Sequence, residues 1–537
     1  MAFSSWRQAL IQRLPALLVG ALALVVLAPM LVLALAWRGD ESEVWQHLAD
    51  TVLWTLAGNT LLLLVGVGLG VLLLGVGLAW LVSTQEFPGR RFFDWALLLP
   101  LAMPAYVLAF VAVDLLDYSG PLQSLLRSAW PDFSGLNVRR APLVILTLSL
   151  VLYPYVYMLA RTAFLAQGRT LLEQARLLGL RPRQAFWRVA LPMARPAIVA
   201  GLALALMEAL ADFGAVSVFN FDTLTTAIYK SWYGLFNLNA AAQLASLLLV
   251  LVLMLLGLEA AARGRARYAE GSSRPSQRRR LPGAWPWLLT LLAALVFAAA
   301  FAVPLGRLLY WVATSAWRDL DQRYVGLVGR TLMLGAGAAA VTVTLALLMG
   351  YVRRHRARRW VPAAVRIATL GYALPGSVLA VGIVMSFSAL DRSVHQWFGI
   401  GPLLMGGVLA LVLAYVVRFL AVAHGSVDAA FERVRPRLVD AARVLGASPW
   451  QVVRRVYVPL LTPGLLAAFL LVLIDVMKEM PATLLLRPFG WDTLSVRIYE
   501  MTAEGEWARA ALPSLTLVLV GLLPVYLLMR RIRQANR

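Results

Sequence analysis

Two pairs of carboxylates interrupt long apolar runs of this chain. Glu208 and Asp212 form the first pair and Asp475 and Glu479 the second, each with a spacing of four residues. On a helix this spacing puts both members of a pair on one face. A carboxylate facing lipid costs roughly 2.5 to 3.5 kcal/mol on insertion scales, so the pairs are expected to face an interior path. Because hard cations prefer oxygen ligands, the four acids predict a transient path for a trivalent cation, without a stable metal site.

A structural role explains the same carboxylates differently. They would then lie near the outer membrane surface, or pair with Lys478 or nearby arginines and hold helices together. Such ion pairs resist disruption because removing one partner leaves an uncompensated charge. The sequence is compatible with both interpretations.

A second pattern occurs twice, each time in a basic segment between apolar runs. It consists of an acidic residue and an alanine, then a glycine, then a proline, with the same spacing in both copies. The glycine permits a tight turn between two short helical patterns, and the proline is expected to break the chain before the next apolar run. The duplicated spacing predicts two docking loops on one side of a membrane. The positions are Glu173, Ala175, Gly179 and Pro192 in the first loop and Asp440, Ala441, Ala442, Gly446 and Pro459 in the second.

The apolar runs between these motifs are long enough to span a bilayer. Hydrophobic residues make up 61% of the chain and charged residues 14%, against roughly half and a quarter in soluble proteins. A helical run of about 18 residues or more crosses a hydrocarbon core of about 30 Å. The sequence therefore predicts an all-α polytopic membrane protein with about twelve transmembrane helices. Their approximate ranges are 17–37, 52–83, 92–115, 141–166, 196–220, 240–262, 285–312, 330–352, 362–390, 402–425, 462–486 and 511–529.

The distribution of arginine predicts the orientation of these helices. The chain has a net charge of +22. Its arginines are concentrated in the C-terminal tail and in every second loop, and these loops include both docking loops. Because basic loops stay in the cytoplasm, both termini and both docking loops are expected there, with 114–140 and 487–510 outside. The positive charge therefore reflects membrane topology, and we expect no nucleic-acid partner.

The two halves of the chain repeat each other beyond the docking loops. Asn59-Thr60-Leu61 matches Arg330-Thr331-Leu332, and Asp222-Thr223-Leu224 matches Asp492-Thr493-Leu494. Since each half holds six predicted helices, we expect two parallel repeats, an architecture found in transporters. The predicted parts are a first six-helix repeat (1–262), a polar cytoplasmic linker (263–282) and a second six-helix repeat (283–537).

No residues form a recognisable catalytic set. The four histidines are scattered, cysteine is absent, and the sequence contains no Gly-x-x-x-x-Gly-Lys-[Ser/Thr] phosphate loop. The chain is therefore expected to be a transport subunit, not an enzyme, and to bind no cofactor itself. If ATP drives transport, a separate subunit must bind it.

The docking loops resemble the EAA loops of permease subunits in ATP-binding-cassette (ABC) importers. The whole chain resembles the fused, two-repeat permeases of ferric-iron importers, most clearly in Met207–Val216, Thr225–Tyr229 and Lys478–Leu484. This resemblance implies the type I importer permease fold, the bacterial cytoplasmic membrane as location, and ferric iron as cargo. It also implies two partners: a dimer of ATPase subunits that engages the loops and uses ATP, and a periplasmic substrate-binding protein.

The length and the repeat also fit two other kinds of transporter. Fused thiamine permeases have a similar layout, so thiamine or another small solute is an alternative cargo. The acid pairs favour a metal cation, since thiamine would more naturally call for aromatic walls. A self-contained secondary transporter also uses parallel six-helix repeats, but it does not account for the docking loops.

Overall fold

The computed structural model describes residues 2–38, 43–130, 132–133, 135, 137–167, 179–263, 278–355, 359–399, 404 and 406–535. The predicted positions Glu173 and Ala175 and most of the linker lie outside these ranges. The predicted all-α class is confirmed, because helices account for nearly all the regular structure of the described chain. Two strands of two residues, Gln85–Glu86 (β1) and Arg279–Arg280 (β2), pair in parallel.

The helices of the first half follow the apolar runs but are more finely divided. They are α1 Ala2–Leu35, α2 Glu43–Thr51, α3 Leu53–Thr84, α4 Arg90–Ala96, α5 Ala105–Leu116, α6 Pro121–Ala129, α7 Ala141–Ala166, α8 Pro182–Ala185, α9 Leu191–Ala211, α10 Gly214–Val218, α11 Leu224–Tyr229 and α12 Leu238–Arg263.

The second half repeats this order. Its helices are α13 Trp285–Phe297, α14 Val303–Thr314, α15 Gln322–His355, α16 Val361–Thr369, α17 Gly376–Phe398, α18 Val408–Glu432, α19 Pro436–Val444, α20 Pro449–Val452, α21 Val458–Lys478, α22 Pro481–Leu486, α23 Leu494–Ala503 and α24 Ala511–Ala535.

Eleven helical segments of the described chain are long and apolar enough to cross a membrane, judged by length and composition. The twelfth predicted span falls on α24, whose apolar part, Ala511–Leu523, is shorter than the other spans. The prediction of about twelve transmembrane helices therefore agrees with the structure to within one helix.

Two of the predicted spans are interrupted at equivalent prolines. The run 92–115 divides into α4, a 3₁₀ turn and α5, and the run 362–390 divides into α16, a 3₁₀ turn and α17. The residues before the breaks, Met103 and Leu374, have ψ angles of 117° and 124°. Each precedes a proline, and proline disfavours the helical conformation of the residue before it.

The helices assemble into two compact units that cut across the sequence halves. One unit comprises Met1–Glu41, Phe236–Ser246 and Asp321–Arg497. Within it α1 packs on α16 and α17, and α15, α18 and α21 pack on one another.

The other unit comprises Ser42–Leu235, Leu247–Leu320 and Ile498–Arg537. Within it α3 and α9 pack on α7, and α14 packs on α24. Each half of the sequence thus contributes its first apolar helix to the unit formed mainly by the other half. The predicted boundaries at residues 262 and 283 separate the two sequence repeats and not these compact units, and they stay a prediction.

Candidate translocation path and docking loops

The second carboxylate of each predicted pair lies where a long helix ends. Helix α9 ends at Ala211, and Asp212 follows with φ −68° and ψ 127°. Helix α21 ends at Lys478, and Glu479 follows with φ −65° and ψ 115°. Each second acid is therefore the residue at which its helix ends, because its φ is still helical while its ψ is extended, so the backbone leaves the helix after the acid. Asp212 still interacts electrostatically with Glu208, and the shared helix face of each pair stays a prediction. Broken helices of this kind form substrate and ion sites in many transporters.

Hydroxyl groups brace the break in the first repeat. The Thr225 hydroxyl donates to the backbone oxygen of Asp212 over 2.8 Å and lies 2.9 Å from the Thr223 hydroxyl. The backbone N–H of Leu224 donates to Thr60 Oγ1 over 3.2 Å. This network, which we call the hydroxyl brace, ties the break to α3 and α11.

The second repeat has the same brace at equivalent positions. The Ser495 hydroxyl donates to the backbone oxygen of Glu479 over 2.9 Å and lies 3.0 Å from the Thr493 hydroxyl. The backbone N–H of Leu494 donates to Thr331 Oγ1 over 3.0 Å. Sequence reasoning had aligned these threonines between the halves without assigning them a role. The signal that could have indicated this role is that these threonines recur in triplets that match between the two halves of the sequence.

The side chain of Glu479 is neutralised inside the protein. It is 6% exposed, and its Oε2 lies 3.2 Å from Nε of Arg418, which is buried as well. Its Oε1 accepts a hydrogen bond from the Ala482 N–H over 3.0 Å. Arg418 also donates to the backbone oxygen of Leu374 over 3.3 Å. For Glu479 the geometry favours the structural interpretation, in which an arginine and an acid hold helices together.

Asp212 has different surroundings. Its Oδ1 accepts a hydrogen bond from the N–H of Val216 over 3.1 Å, and no described residue forms an ion pair with it. It lines a small recess together with the hydroxyl residues Thr60, Thr223 and Thr225. Among the described residues, Asp212 is therefore a carboxylate without a neutralising cation, in a recess that holds three threonines and five apolar residues.

The first members of the pairs stay within the long helices. Glu208 lies in the last turn of α9, and Asp475 lies in the last turn of α21. Both are partly exposed. The structure thus places all four acids at the ends of equivalent helices, with Glu208 one turn before the unpaired Asp212.

The second docking loop is a helix-turn-helix with an apolar surface. Gly446 separates α19 from α20 and has a φ of 83°, a left-handed conformation that favours glycine. Asp440 and Ala441 are exposed. Val444 and Leu445 are each 87% exposed. Apolar side chains so exposed on a polar loop make this surface a candidate interaction site.

Part of the first docking loop is visible as well. Gly179 has a φ of 80°, close to that of Gly446, so both glycines turn the chain in the same way. The expectation that Pro192 and Pro459 break the chain is wrong, because both lie at the second position of continuous long helices. A π turn precedes each helix, at Phe186–Ala190 and Val453–Tyr457. Its wider backbone geometry accommodates a residue that lacks an N–H.

Comparison with known proteins gives a family and several relatives. Residues 71–262 and 342–537 each match the family described as "Binding-protein-dependent transport system inner membrane component", which confirms the two repeats. The Fe(3+)-transport system permease protein FbpB 2 of Haemophilus influenzae is 29% identical over 482 residues, which cover 88% of this chain and 89% of that protein.

Other relatives match over shorter stretches. PhnV, a permease protein of a 2-aminoethylphosphonate transport system from Salmonella typhimurium, is 36% identical over 166 residues, or 31% of this chain and 57% of PhnV. Among solved structures, a chain of a bacterial alginate ABC transporter is 18% identical with a TM-score of 0.37, covering 46% of this chain and 95% of that chain.

Proposed function

This chain belongs to the family of binding-protein-dependent transport system inner membrane components, and we propose that it is the permease of an ABC importer for ferric iron. The observation that carries the choice of cargo is the carboxylate of Asp212, which has no ion-pair partner among the described residues and lines a small recess with three threonines and five apolar residues. The similarity to a ferric permease over 88% of the chain supports it. An anionic cargo, such as a phosphonate or sulfate, would be repelled by this carboxylate.

The hydroxyl brace and Asp212 together suit a transient binding site for a hard cation. Carboxylate and hydroxyl oxygens are the ligand type such ions prefer. The Asp212 carboxylate, with the Glu208 carboxylate one turn away, attracts the ion but does not hold it in a closed shell of ligands. Transport requires such a site, because an ion that is bound too tightly is not released.

A separate ATPase is the proposed source of energy. The chain lacks a phosphate-binding loop, and Val444, Leu445 and Trp450 expose apolar surface on the second docking loop. We propose that an ATPase dimer covers this surface and the corresponding part of the first loop. Closure of the dimer on ATP would then move both loops and reorient the path.

The proposed topology places a periplasmic binding protein on the side of the membrane opposite to the ATPase. Arginine-rich loops and both termini would lie in the cytoplasm of the bacterial cell, and the segments 114–140 and 487–510 would face the periplasm. The binding protein would deliver iron to the periplasmic end of the path.

Uptake of radioactive ferric iron tests this function. The permease, together with candidate ATPase and binding-protein subunits from the same organism, is expressed in cells that lack their own ferric importers. We expect ATP-dependent iron uptake that persists when a protonophore collapses the proton gradient. A Walker-motif mutation in the ATPase serves as the control and should abolish uptake.

Two other results would support the alternatives. Uptake that stops with the protonophore and survives the ATPase mutation would indicate a secondary transporter. ATP-dependent uptake of thiamine or a phosphonate, with no uptake of iron, would show that the cargo is not the ferric ion.

A further inference from the structure

A group of arginines lies where the linker returns to the first repeat, on the predicted cytoplasmic side. The β1–β2 pairing joins Glu86 to Arg280 just after α3. It brings Arg278 near Arg90, at the start of α4, so that their like charges interact. The end of the linker and the turn between α3 and α4 thus form one basic surface within a single compact unit.

The acidic residues described near this surface do not neutralise all of its positive charge. Oε2 of Glu86 lies 3.3 Å from Nε of Arg90. Asp94 is engaged by Arg161, whose Nε and Nη2 donate to its two oxygens over 2.6 and 2.8 Å. Burial, and then the charge of Arg90, lower the pKa of Arg278. Three guanidinium groups therefore share two carboxylates, and Arg278 has the least compensation.

Arg90 lies buried beside a single carboxylate. Its side chain is 8% exposed, and the contact of its Nε with Glu86 lacks hydrogen-bond geometry, so this Nε has an ion-pair partner but no hydrogen-bond acceptor among the described residues. Guanidinium groups match the oxygens of a phosphate in planar geometry. A phosphate group near Arg90 and Arg278 would offset the excess positive charge.

Aromatic side chains place the basic surface at the boundary between membrane and water. Trp285 and Trp287 at the start of α13 are exposed, as is Phe92 in α4. The Thr290 hydroxyl donates to the backbone oxygen of Pro88 over 2.9 Å, which holds α13 against the turn. Exposed tryptophans concentrate at the level of lipid headgroups. A phosphate held by Arg90 and Arg278 at this depth would belong to a lipid headgroup.

We propose that Arg90 and Arg278 bind the phosphate of an anionic phospholipid in the cytoplasmic leaflet. Basic groups between helices on this side of a membrane are known to hold anionic headgroups. The bound lipid would fasten the returning linker to the α3–α4 turn. This site is independent of the cargo, so it stands whether or not the protein carries iron.

Thermal unfolding of the purified full-length protein in detergent tests the site. We expect phosphatidylglycerol to raise Tm, and phosphatidylcholine with the same acyl chains to raise it less, because a ligand of the folded state stabilises it. Arg278→Gln should reduce the effect of phosphatidylglycerol to that of phosphatidylcholine. Arg323→Gln, which changes an exposed arginine on the predicted opposite side, should keep the full difference.

Native mass spectrometry provides a second readout that does not depend on stability. Wild-type protein should retain at least one more phosphatidylglycerol than Arg278→Gln or Arg90→Gln under the same conditions. Equal retention by all three proteins would overturn the proposal. Stabilisation by soluble glycerol phosphate as large as that by phosphatidylglycerol would also overturn it, because the ligand would then be a free phosphate.

Discussion

Asp212 and Glu479 occupy equivalent positions in the two repeats, yet their carboxylates have different electrostatic surroundings. Arg418 neutralises Glu479 over 3.2 Å. The first repeat has Val151 at the same distance before its docking loop, where the second has Arg418. Both repeats thus have the backbone break and its hydroxyl brace, but only the second has an arginine at this position to pair with its acid.

Changing Asp212 to asparagine should impair iron uptake but leave the fold intact. If the charged contact contributes about 1.5–3 kcal/mol, uptake should fall by roughly one to two orders of magnitude, while expression and Tm stay near wild type. Asp222→Asn is the matched control, since Lys230 already pairs with that acid over 2.6 Å. Radioactive uptake in cells measures both variants. Unchanged uptake by Asp212→Asn would show that this carboxylate does not guide the ion.

Changing Glu479 to glutamine should instead reduce stability. The substitution leaves the Arg418 guanidinium buried without its counter-charge, a loss of about 3–5 kcal/mol in comparable cases. Adding Arg418→Met removes the uncompensated charge and should restore much of the lost Tm. A double-mutant cycle measured by thermal unfolding in detergent quantifies the coupling. Additive effects of the two substitutions would contradict the buried ion pair.

At the scale of elements, the hydroxyl brace makes the two helix breaks equivalent. In each repeat a threonine on the long helix α3 or α15 accepts a hydrogen bond from the N–H that starts α11 or α23. Both threonines also donate to the carbonyl one turn earlier in their own helix. The brace therefore fixes a short helix, which has little stability of its own, against a long one.

Removing the brace hydroxyls should destabilise both repeats in the same direction. Thr60→Val or Thr331→Val keeps the side-chain shape but leaves a buried N–H without an acceptor, at a cost of about 1–3 kcal/mol. Thr344→Val is the control, because that exposed hydroxyl bonds only to its own helix. Thermal unfolding should rank both brace variants below the control. Equal Tm values for all three would mean that the brace does not stabilise the breaks.

A substitution on the surface of the second docking loop should weaken binding of the ATPase without unfolding the permease. Leu445→Ser removes an apolar side chain that is 87% exposed, so Tm should stay constant while binding of the ATPase subunit weakens. Phe489→Ser, at another fully exposed apolar position, is the control and should bind the ATPase normally. Co-purification with the ATPase measures both. Normal recovery of the ATPase with Leu445→Ser would place the docking surface elsewhere.

At the scale of the whole molecule, each compact unit is assembled from both sequence halves. Helix α1 packs within the unit that holds α15 to α22, and α13 and α14 belong to the unit that holds α3 to α11. Each half therefore completes its packing with apolar helices from the other half. The compact units therefore do not coincide with the sequence repeats.

The predicted membrane topology can be tested directly because the native chain has no cysteine. A cysteine at Ser273 in the linker should be protected from a membrane-impermeant thiol reagent in intact spheroplasts, and a cysteine at Phe489 should be labelled. Both should react after the membrane is permeabilised, which controls for accessibility. Labelling of the Ser273 cysteine in intact spheroplasts would invert the predicted orientation.

The sequence by itself determined the features that depend on local pattern. Apolar length predicted the helices, duplicated spacing predicted the repeats and docking loops, and both glycines of those loops have the left-handed conformation of a tight turn. Tertiary structure decided the end of α9 before Asp212, the pairing of Glu479 with Arg418, and the exchange of first helices between the units. These depend on contacts between residues far apart in the chain. A spacing of four residues on a helix cannot reveal which distant arginine reaches an acid, because packing and not periodicity brings the two together.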